Sequence, residues 1–244
     1  MGSSEIVGGA IGAVILLAVI AVGLHRVFVA GPRRRAAETD RVAGMAGLVQ
    51  RLNATVHTAQ GGTRPSFGVL PEPRYNHASD ALRPIEQFDQ AVEFAYRNHQ
   101  VLGVDYTYNV RVNEAGRSVV RWLQNNIVQV RTPPTPRLRI SARRPAGLTY
   151  RGDELTVFQL GNARFDDVFE VAAADERFAR TVLNGPVLDL LLYGSRYRDK
   201  FLEFDAGVVR SEFAGSLDAD VLLSNAGLLI DFVERLPQQA WRYR

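Results

Sequence analysis

The side chains that could carry catalysis or hold a metal ion are few in this chain. It has no cysteine, which excludes disulfides, thiolate metal sites and cysteine nucleophiles. No two histidines have the four-residue spacing that places a pair of zinc ligands on one helix face. The sequence therefore predicts no metal site and no cofactor. The four histidines are His25, His57, His77 and His99.

Clustered acidic residues are the next candidates, because paired carboxylates can act as general acid and general base. Each cluster also lies where a helix is predicted to start or a loop to end, and there a carboxylate caps backbone N–H groups. We favour capping, and no nucleotide-binding loop or nucleophile elbow is present, so no catalytic residue is assigned. The clusters are Asp166–Asp167, Asp175–Glu176, and Asp218 with Asp220.

Ahead of the globular part of the chain lies an uncharged run at residues 6–24, IVGGAIGAVILLAVIAVGL. As a helix rising about 1.5 Å per residue it is roughly 28 Å long, close to the thickness of a bilayer core. A cleavable signal peptide is the alternative. It fits poorly, because Glu5 and no basic residue precede the run, and cleavage after Ala30 would place Phe28 at position −3. We expect a transmembrane anchor with a basic flank over residues 1–35.

The flanking charges predict the orientation of this single-pass anchor in the cell membrane. Basic residues are retained on the cytoplasmic side, so the N-terminus is expected outside and the globular part in the cytoplasm. Residues 36–244 hold 25 of the 29 basic and 25 of the 26 acidic residues, and this neutral balance disfavours nucleic acid as a partner. The membrane-flank arginines are Arg26, Arg33, Arg34 and Arg35.

Three further features of this region have alternative interpretations. Gly8 and Gly12 have the spacing that lets two membrane helices approach closely, which would form a homodimer. The triplet 33–35 could bind anionic headgroups or only determine topology. If the domain instead faced outward, Asn53–Ala54–Thr55 would be a glycosylation sequon.

Periodicity predicts the elements of the remaining chain. Apolar residues at helical spacing predict a helix over residues 36–59, a stalk or a docked helix, followed by a loop to residue 65. A long antiparallel hairpin is predicted from alternation over residues 104–112, a turn at 114–117 and a return strand over 118–130. A second hairpin is expected over 200–205 and 208–213, around Ala206–Gly207. Shorter strands are expected at 137–142, 154–160 and 167–173.

Helices are predicted in the last third of the chain. Asp175 can cap one helix, and Asn184–Gly185–Pro186 ends it and begins another. The last helix carries an apolar stripe at spacings of three and four, with Asp218 near its start. Strands first and helices later predict an α+β domain over residues 66–244, with an antiparallel sheet and C-terminal helices. The stripe is Leu222, Ala226, Leu229, Val233 and Leu236.

The loop after the long hairpin is rich in proline. Pro133 and Pro136 have PxxP spacing and, with Pro134, could present a short polyproline surface to a partner protein. The alternative is that these prolines only stiffen the connection and keep a strand edge from pairing.

Three stretches resemble a known group of proteins. Residues 96–108, YRNHQVLGVDYTY, are similar to the Y-R-G-R-x-x-x-x-F-D-Y-x-Y strand of uncharacterised membrane-anchored proteins of high-GC Gram-positive bacteria. Residues 165–171 and 177–183 resemble the F-x-x-x-F-x-V and R-F-A-x-x-L-L segments of that family. Asn98 replaces the family's usual glycine. The resemblance covers residues 94–236 and implies a membrane anchor, but no activity and no catalytic residues.

These observations predict a membrane-anchored protein whose cytoplasmic α+β domain has a non-catalytic binding or scaffolding role. The expected partners are the lipid bilayer and another membrane or envelope protein. The competing hypothesis is a membrane-tethered hydrolase whose carboxylates are brought together by the fold. An apolar cleft with convergent acids or histidines would favour the enzyme, and an exposed apolar patch on a sheet would favour the binding protein.

Overall fold

A computed structural model describes residues 31–58, 62–71, 88–114, 117–143, 155–198 and 200–243. The predicted transmembrane run, residues 6–24, lies outside these ranges. Within the described part, no helix has both the length and the apolar content that crossing a membrane requires. The chain forms two compact units, Met1–Gly47 and Leu48–Arg244.

The elements of the described residues are as follows. The helices are α1 (Gly31–Leu52), α2 (Ala163–Asp166), α3 (Glu176–Val182), α4 (Gly185–Tyr193) and α5 (Ala219–Val233), with a 3-10 helix at Gln238–Arg242. The strands are β1 (Thr55–Thr58), β2 (Gln90–Tyr96), β3 (His99–Glu114), β4 (Arg117–Arg131), β5 (Leu138–Ala142), β6 (Thr156–Phe158), β7 (Phe169–Ala173), β8 (Leu202–Asp205) and β9 (Val208–Ala214).

These strands form one sheet in the order β1-β2-β3-β4-β9-β8-β5-β7-β6, and every neighbouring pair is antiparallel. Both predicted hairpins, β3–β4 and β8–β9, are present. Strand β9 pairs with β4 and thereby joins the two hairpins into one sheet. The prediction of an antiparallel-sheet α+β domain with C-terminal helices is confirmed.

Two tight turns have a positive φ at both of their central residues. At the β8–β9 turn, Ala206 and Gly207 have φ of 47° and 78°. At the β2–β3 turn, Arg97 and Asn98 have φ of 49° and 65°. Positive φ at both central residues is the geometry that matches the twist of a two-residue hairpin. Asn tolerates this geometry almost as readily as Gly, so Asn98 fits a position where glycine would also serve.

The helix predicted over residues 36–59 is wrong at its C-terminal end. Helix α1 stops at Leu52, and Asn53 adopts φ of 48°, a left-handed conformation that terminates helices. The chain then enters β1, which pairs with β2. His57 therefore lies on a strand, and β2 has no counterpart in the sequence-based prediction.

One face of the sheet is covered by helix α5, which packs on β3, β4 and β9. Gly103 on β3 permits this close approach, because a Cβ there would lie 2.6 Å from Leu222 Cδ1. Phe204 of β8 lies between Phe178 and Phe232, with ring centroids 5.5 and 6.0 Å away, edge-to-face with the first and tilted to the second. This aromatic contact joins α3 and α5 to the sheet.

The opposite face is covered in part by the segment at residues 62–71. Phe67 and Leu70 pack on a cluster of buried apolar residues from β2, β3 and β4. Gln129, fully buried on β4, donates to the Val69 carbonyl and accepts from the Val69 N–H, each at 2.8 Å. This buried amide therefore helps to hold the segment against the sheet.

Candidate functional site

Strands β3 and β4 continue beyond the rest of the sheet. Strand β2 pairs with β3 only as far as Asp105, and β9 pairs with β4 only from Asn125. Seven further pairs, from Tyr108↔Leu123 to Glu114↔Arg117, have no third strand beside them in the described part of the chain. At about 3.4 Å per residue these pairs extend roughly 20 Å. We call residues 108–114 and 117–123 the arm.

The arm exposes apolar side chains on both of its faces. Alternation places Val119 and Leu123 on one face and Val120 and Trp122 on the other. Trp122 is 61% exposed, and the other three are each close to 38% exposed. Large apolar side chains that lie together on the solvent-exposed surface of a protein are typical of binding sites. The arm is therefore the candidate binding element of this domain.

The arm also has a local excess of basic residues, although residues 36–244 as a whole are neutral. Its sequence contains Arg111, Arg117 and Arg121 against a single acid, Glu114, a net charge of +2. Hydrogen bonds secure it at its base, where Thr107 donates to Asp89 and Gln124 donates to Asp105, at 2.6 and 3.0 Å. The arm is thus anchored on the sheet while its outer part is exposed.

A second cluster lies on the sheet face opposite α5 and contains a buried carboxylate. Glu203 on β8 is 1% exposed and stands between Arg139 of β5 and Arg210 of β9 in the strand register. Arg137 and Arg139 donate to its Oε1 at 2.9 and 3.2 Å, and Arg210 donates to its Oε2 at 2.8 Å. Both carboxylate oxygens are satisfied by guanidinium groups, so Glu203 crosslinks three strands and has no oxygen left for a substrate.

Ser66 of the segment at residues 62–71 meets a carboxylate on β2 and a histidine on β1. Ser66 donates through its hydroxyl and its backbone N–H to the two oxygens of Glu93, and His57 Nε2 lies 3.6 Å from Glu93 Oε2. Burial raises the pKa of Glu93, but the Ser66 hydrogen bonds and the His57 charge together bring it below its ordinary value. In a nucleophilic triad the histidine stands between serine and acid. Here the carboxylate does, so the group cannot activate the serine.

Charged residues also join the β2–β3 turn to the end of α5. Arg97 donates to Asp231 at 2.7 Å and to Glu234 at 2.9 Å, and these hydrogen bonds raise its pKa. His99 Nε2 lies 3.6 Å from Glu234. These groups are exposed or half-exposed. They form a surface ion-pair network of the kind that positions a turn.

The predicted acid clusters act on backbone N–H groups, as the capping interpretation proposed. Asp175 accepts from two N–H groups of α3, and Asp218 accepts from Val221 N–H at the start of α5. Asp166 accepts from Leu160 and Gly161 N–H at 2.9 Å. A shallow open depression beside Asp175 is lined by charged residues and lacks the apolar wall of a substrate pocket.

The remaining predicted residues are distributed as follows. Pro133 and Pro134 are exposed and Pro136 is half-buried in the β4–β5 connection, where Thr132 N–H donates to the Gly207 carbonyl at 2.9 Å. This loop packs beside the β8–β9 turn, apart from the arm. Arg33, Arg34 and Arg35 lie in the first turns of α1. Gly8, Gly12 and Arg26 lie outside the described residues, and no group of acids and histidines in the described part could hold a metal ion.

Comparisons with known proteins add little to this geometry. No protein-family model and no curated protein matches the chain. The structure is similar to the crystal structure of the mycobacterial trehalose monomycolate transport factor A, TtfA. That similarity has a TM-score of 0.45 and 9% sequence identity, and it covers 80% of this chain and 95% of that chain. It is too distant to support an argument about function.

Proposed function

We propose that this chain is a single-pass protein of the cell membrane whose α+β domain binds or scaffolds at the cytoplasmic face, without catalysis. The observation that carries the proposal is the arm, which exposes Trp122 and three other large apolar side chains at the end of an otherwise well-packed sheet. Such side chains remain in water at a cost of about 25 cal/mol per Å² of apolar area, and a partner that covers them removes this cost.

The membrane location is supported by the sequence. Residues 6–24 are uncharged and long enough to span a bilayer, and the four flanking arginines all follow them. Protease treatment of sealed right-side-out cells tests the orientation. The domain should survive until the cells are lysed, and its digestion in intact cells would contradict the cytoplasmic assignment.

The alternative, a membrane-tethered hydrolase, has no specific support in the described residues. The acids that the fold brings near other groups accept hydrogen bonds from arginine, hydroxyl, amide or backbone N–H groups. Glu203 contacts three arginines, and Glu93 contacts Ser66. Neither lies in an apolar cleft where a carboxylic acid could be held protonated for catalysis.

Site-specific photo-crosslinking in native membranes tests the binding role. A benzophenone amino acid replaces Trp122 in one variant and Val157 in the other, an exposed apolar residue on β6 with a closely matched exposure of 51%. We expect crosslinked adducts from position 122, in clear excess over position 157. Equal yields at the two positions would contradict the assignment of the arm as the binding element.

A further inference from the structure

The proposed binding role does not specify what the arm contacts. Resting on that role, we infer that the arm lies in the headgroup region of an anionic lipid bilayer, with Trp122 and its neighbouring apolar side chains at the boundary of the acyl chains. Three properties of the arm point to this occupant: apolar groups on two faces, a local positive charge and, among the described residues, the lack of a third strand beside it.

The two-faced exposure distinguishes lipid from a folded partner. A protein that docks on a ribbon covers one face and leaves the other in water. Val119 and Leu123 on one face have nearly the same exposed fraction as Val120 on the other face. Trp122, which shares the face of Val120, is more exposed than all three. A fluid interface surrounds both faces of a projecting ribbon, so it covers all four side chains at once.

The charge of the arm matches an anionic surface. The arm has a net charge of +2, whereas residues 36–244 as a whole are neutral. Basic residues close to an anionic leaflet are attracted to it, and tryptophan is enriched at the membrane–water interface because its ring has an apolar body and a polar N–H. Arg117 and Trp122 therefore both favour the headgroup region of the membrane.

The unpaired edges limit how deep the arm goes. In the described residues, β3 and β4 of the arm pair only with each other, so their outer N–H and C=O groups require water or headgroups as partners. Such groups cost several kcal/mol each in hydrocarbon. The arm consequently stays at the interface and does not cross the membrane.

Tryptophan fluorescence of the full chain tests this inference. The chain has two tryptophans, so Trp241→Phe leaves Trp122 as the reporter and Trp122→Phe leaves Trp241 as the matched control. Each variant is reconstituted into vesicles of phosphatidylcholine and phosphatidylglycerol whose acyl chains carry bromine close to the headgroup. We expect bromine to quench Trp122 and not Trp241. Arg117→Gln should lower the ratio of lipid-bound to lipid-free arm about fivefold, the effect of one near-surface charge.

The outcomes separate this inference from the proposed function. If the chain floats with the vesicles after a carbonate wash but bromine leaves Trp122 unquenched, the lipid inference is overturned while the membrane anchor stands. If the chain does not float, both fail. If Trp122 becomes shielded only as the ratio of protein to lipid rises, a second copy covers the arm and the lipid inference is again overturned.

Discussion

The body of the sheet buries even a charged side chain, whereas the arm exposes large apolar ones. In the body, even the charged Glu203 is 1% exposed, and its carboxylate is paired with Arg139 and Arg210 on the neighbouring strands and with Arg137 just before β5. In the arm, Trp122 is 61% exposed although it belongs to the same strand as the fully buried Val128 and Val130. The side chains of the body therefore stabilise the fold, and the apolar side chains of the arm are exposed for contact with a binding partner. Substitutions in the two regions should separate these roles.

The largest effect on stability is expected at the centre of the sheet body. Glu203→Ala leaves Arg139 and Arg210 facing each other without a shared carboxylate, and removing one partner of a buried ion pair costs about 3–5 kcal/mol. Urea unfolding measures the change. Glu176→Ala is the control, because Glu176 is exposed and pairs with Arg180 at i,i+4, worth about 0.3–0.5 kcal/mol. Equal effects would show that the Glu203 cluster is not structural.

A smaller loss is expected where α5 approaches the sheet. Gly103→Ala places a methyl group 2.6 Å from Leu222 Cδ1 and 3.0 Å from Leu217 Cδ2, both in the core, and overpacking of this kind costs about 1–3 kcal/mol. Gly227→Ala on α5 is the matched control. A Cβ there meets nothing within 4 Å, so the change should stabilise the helix by roughly 0.5–1 kcal/mol. Destabilisation by both would contradict the close packing inferred at Gly103.

The Glu93 cluster should stabilise the fold at neutral pH and lose this contribution in acid. Its folded pKa lies below the ordinary value of 4.5, so the unfolded chain binds the proton more readily. The resulting stabilisation is present above pH 4.5 and is lost as the pH falls through the folded pKa. Ser66→Ala removes a hydrogen bond that lowers this pKa, and it should reduce stability at neutral pH more than at low pH. A reduction independent of pH would contradict this assignment.

The smallest effect on stability is expected in the arm. Trp122→Thr keeps a residue suited to strands and removes an exposed ring, so the free energy of unfolding should change by less than about 0.5 kcal/mol. The same variant should lose membrane contact at the arm. A large loss of stability would mean that Trp122 belongs to the fold and is not held available for binding.

Local patterns predict much of this fold because they depend on neighbouring residues. Alternation from Val104 to Val112 predicts β3, and Ala206–Gly207 predicts the tight β8–β9 turn, where both residues adopt positive φ. The capping roles of Asp175 and Asp218 are confirmed by their contacts with N–H groups. Each of these elements is determined by a short segment of chain.

The candidate sites could not be predicted from local patterns, because they depend on pairing between strands that are distant in sequence. Alternation continues along β3 from the sheet body into the arm, and only the ends of β2 and β9 determine which part projects as the arm. Glu203 meets Arg137 across 66 residues of chain, through pairing of β5 with β8. Val56 continues the apolar spacing of α1, which predicts helix where β1 forms, whereas positive φ at Asn53 ends that helix.

Cysteine labelling tests the central claim, that the arm is the contact element, most directly. The chain has no cysteine, so Trp122→Cys and Val157→Cys each introduce one thiol at an exposed position. A membrane-impermeant maleimide should label both at similar rates in detergent. In inverted membrane vesicles, where the cytoplasmic face is outward, we predict that position 122 is protected and position 157 is not. Equal labelling of the two positions in the vesicles would contradict the account.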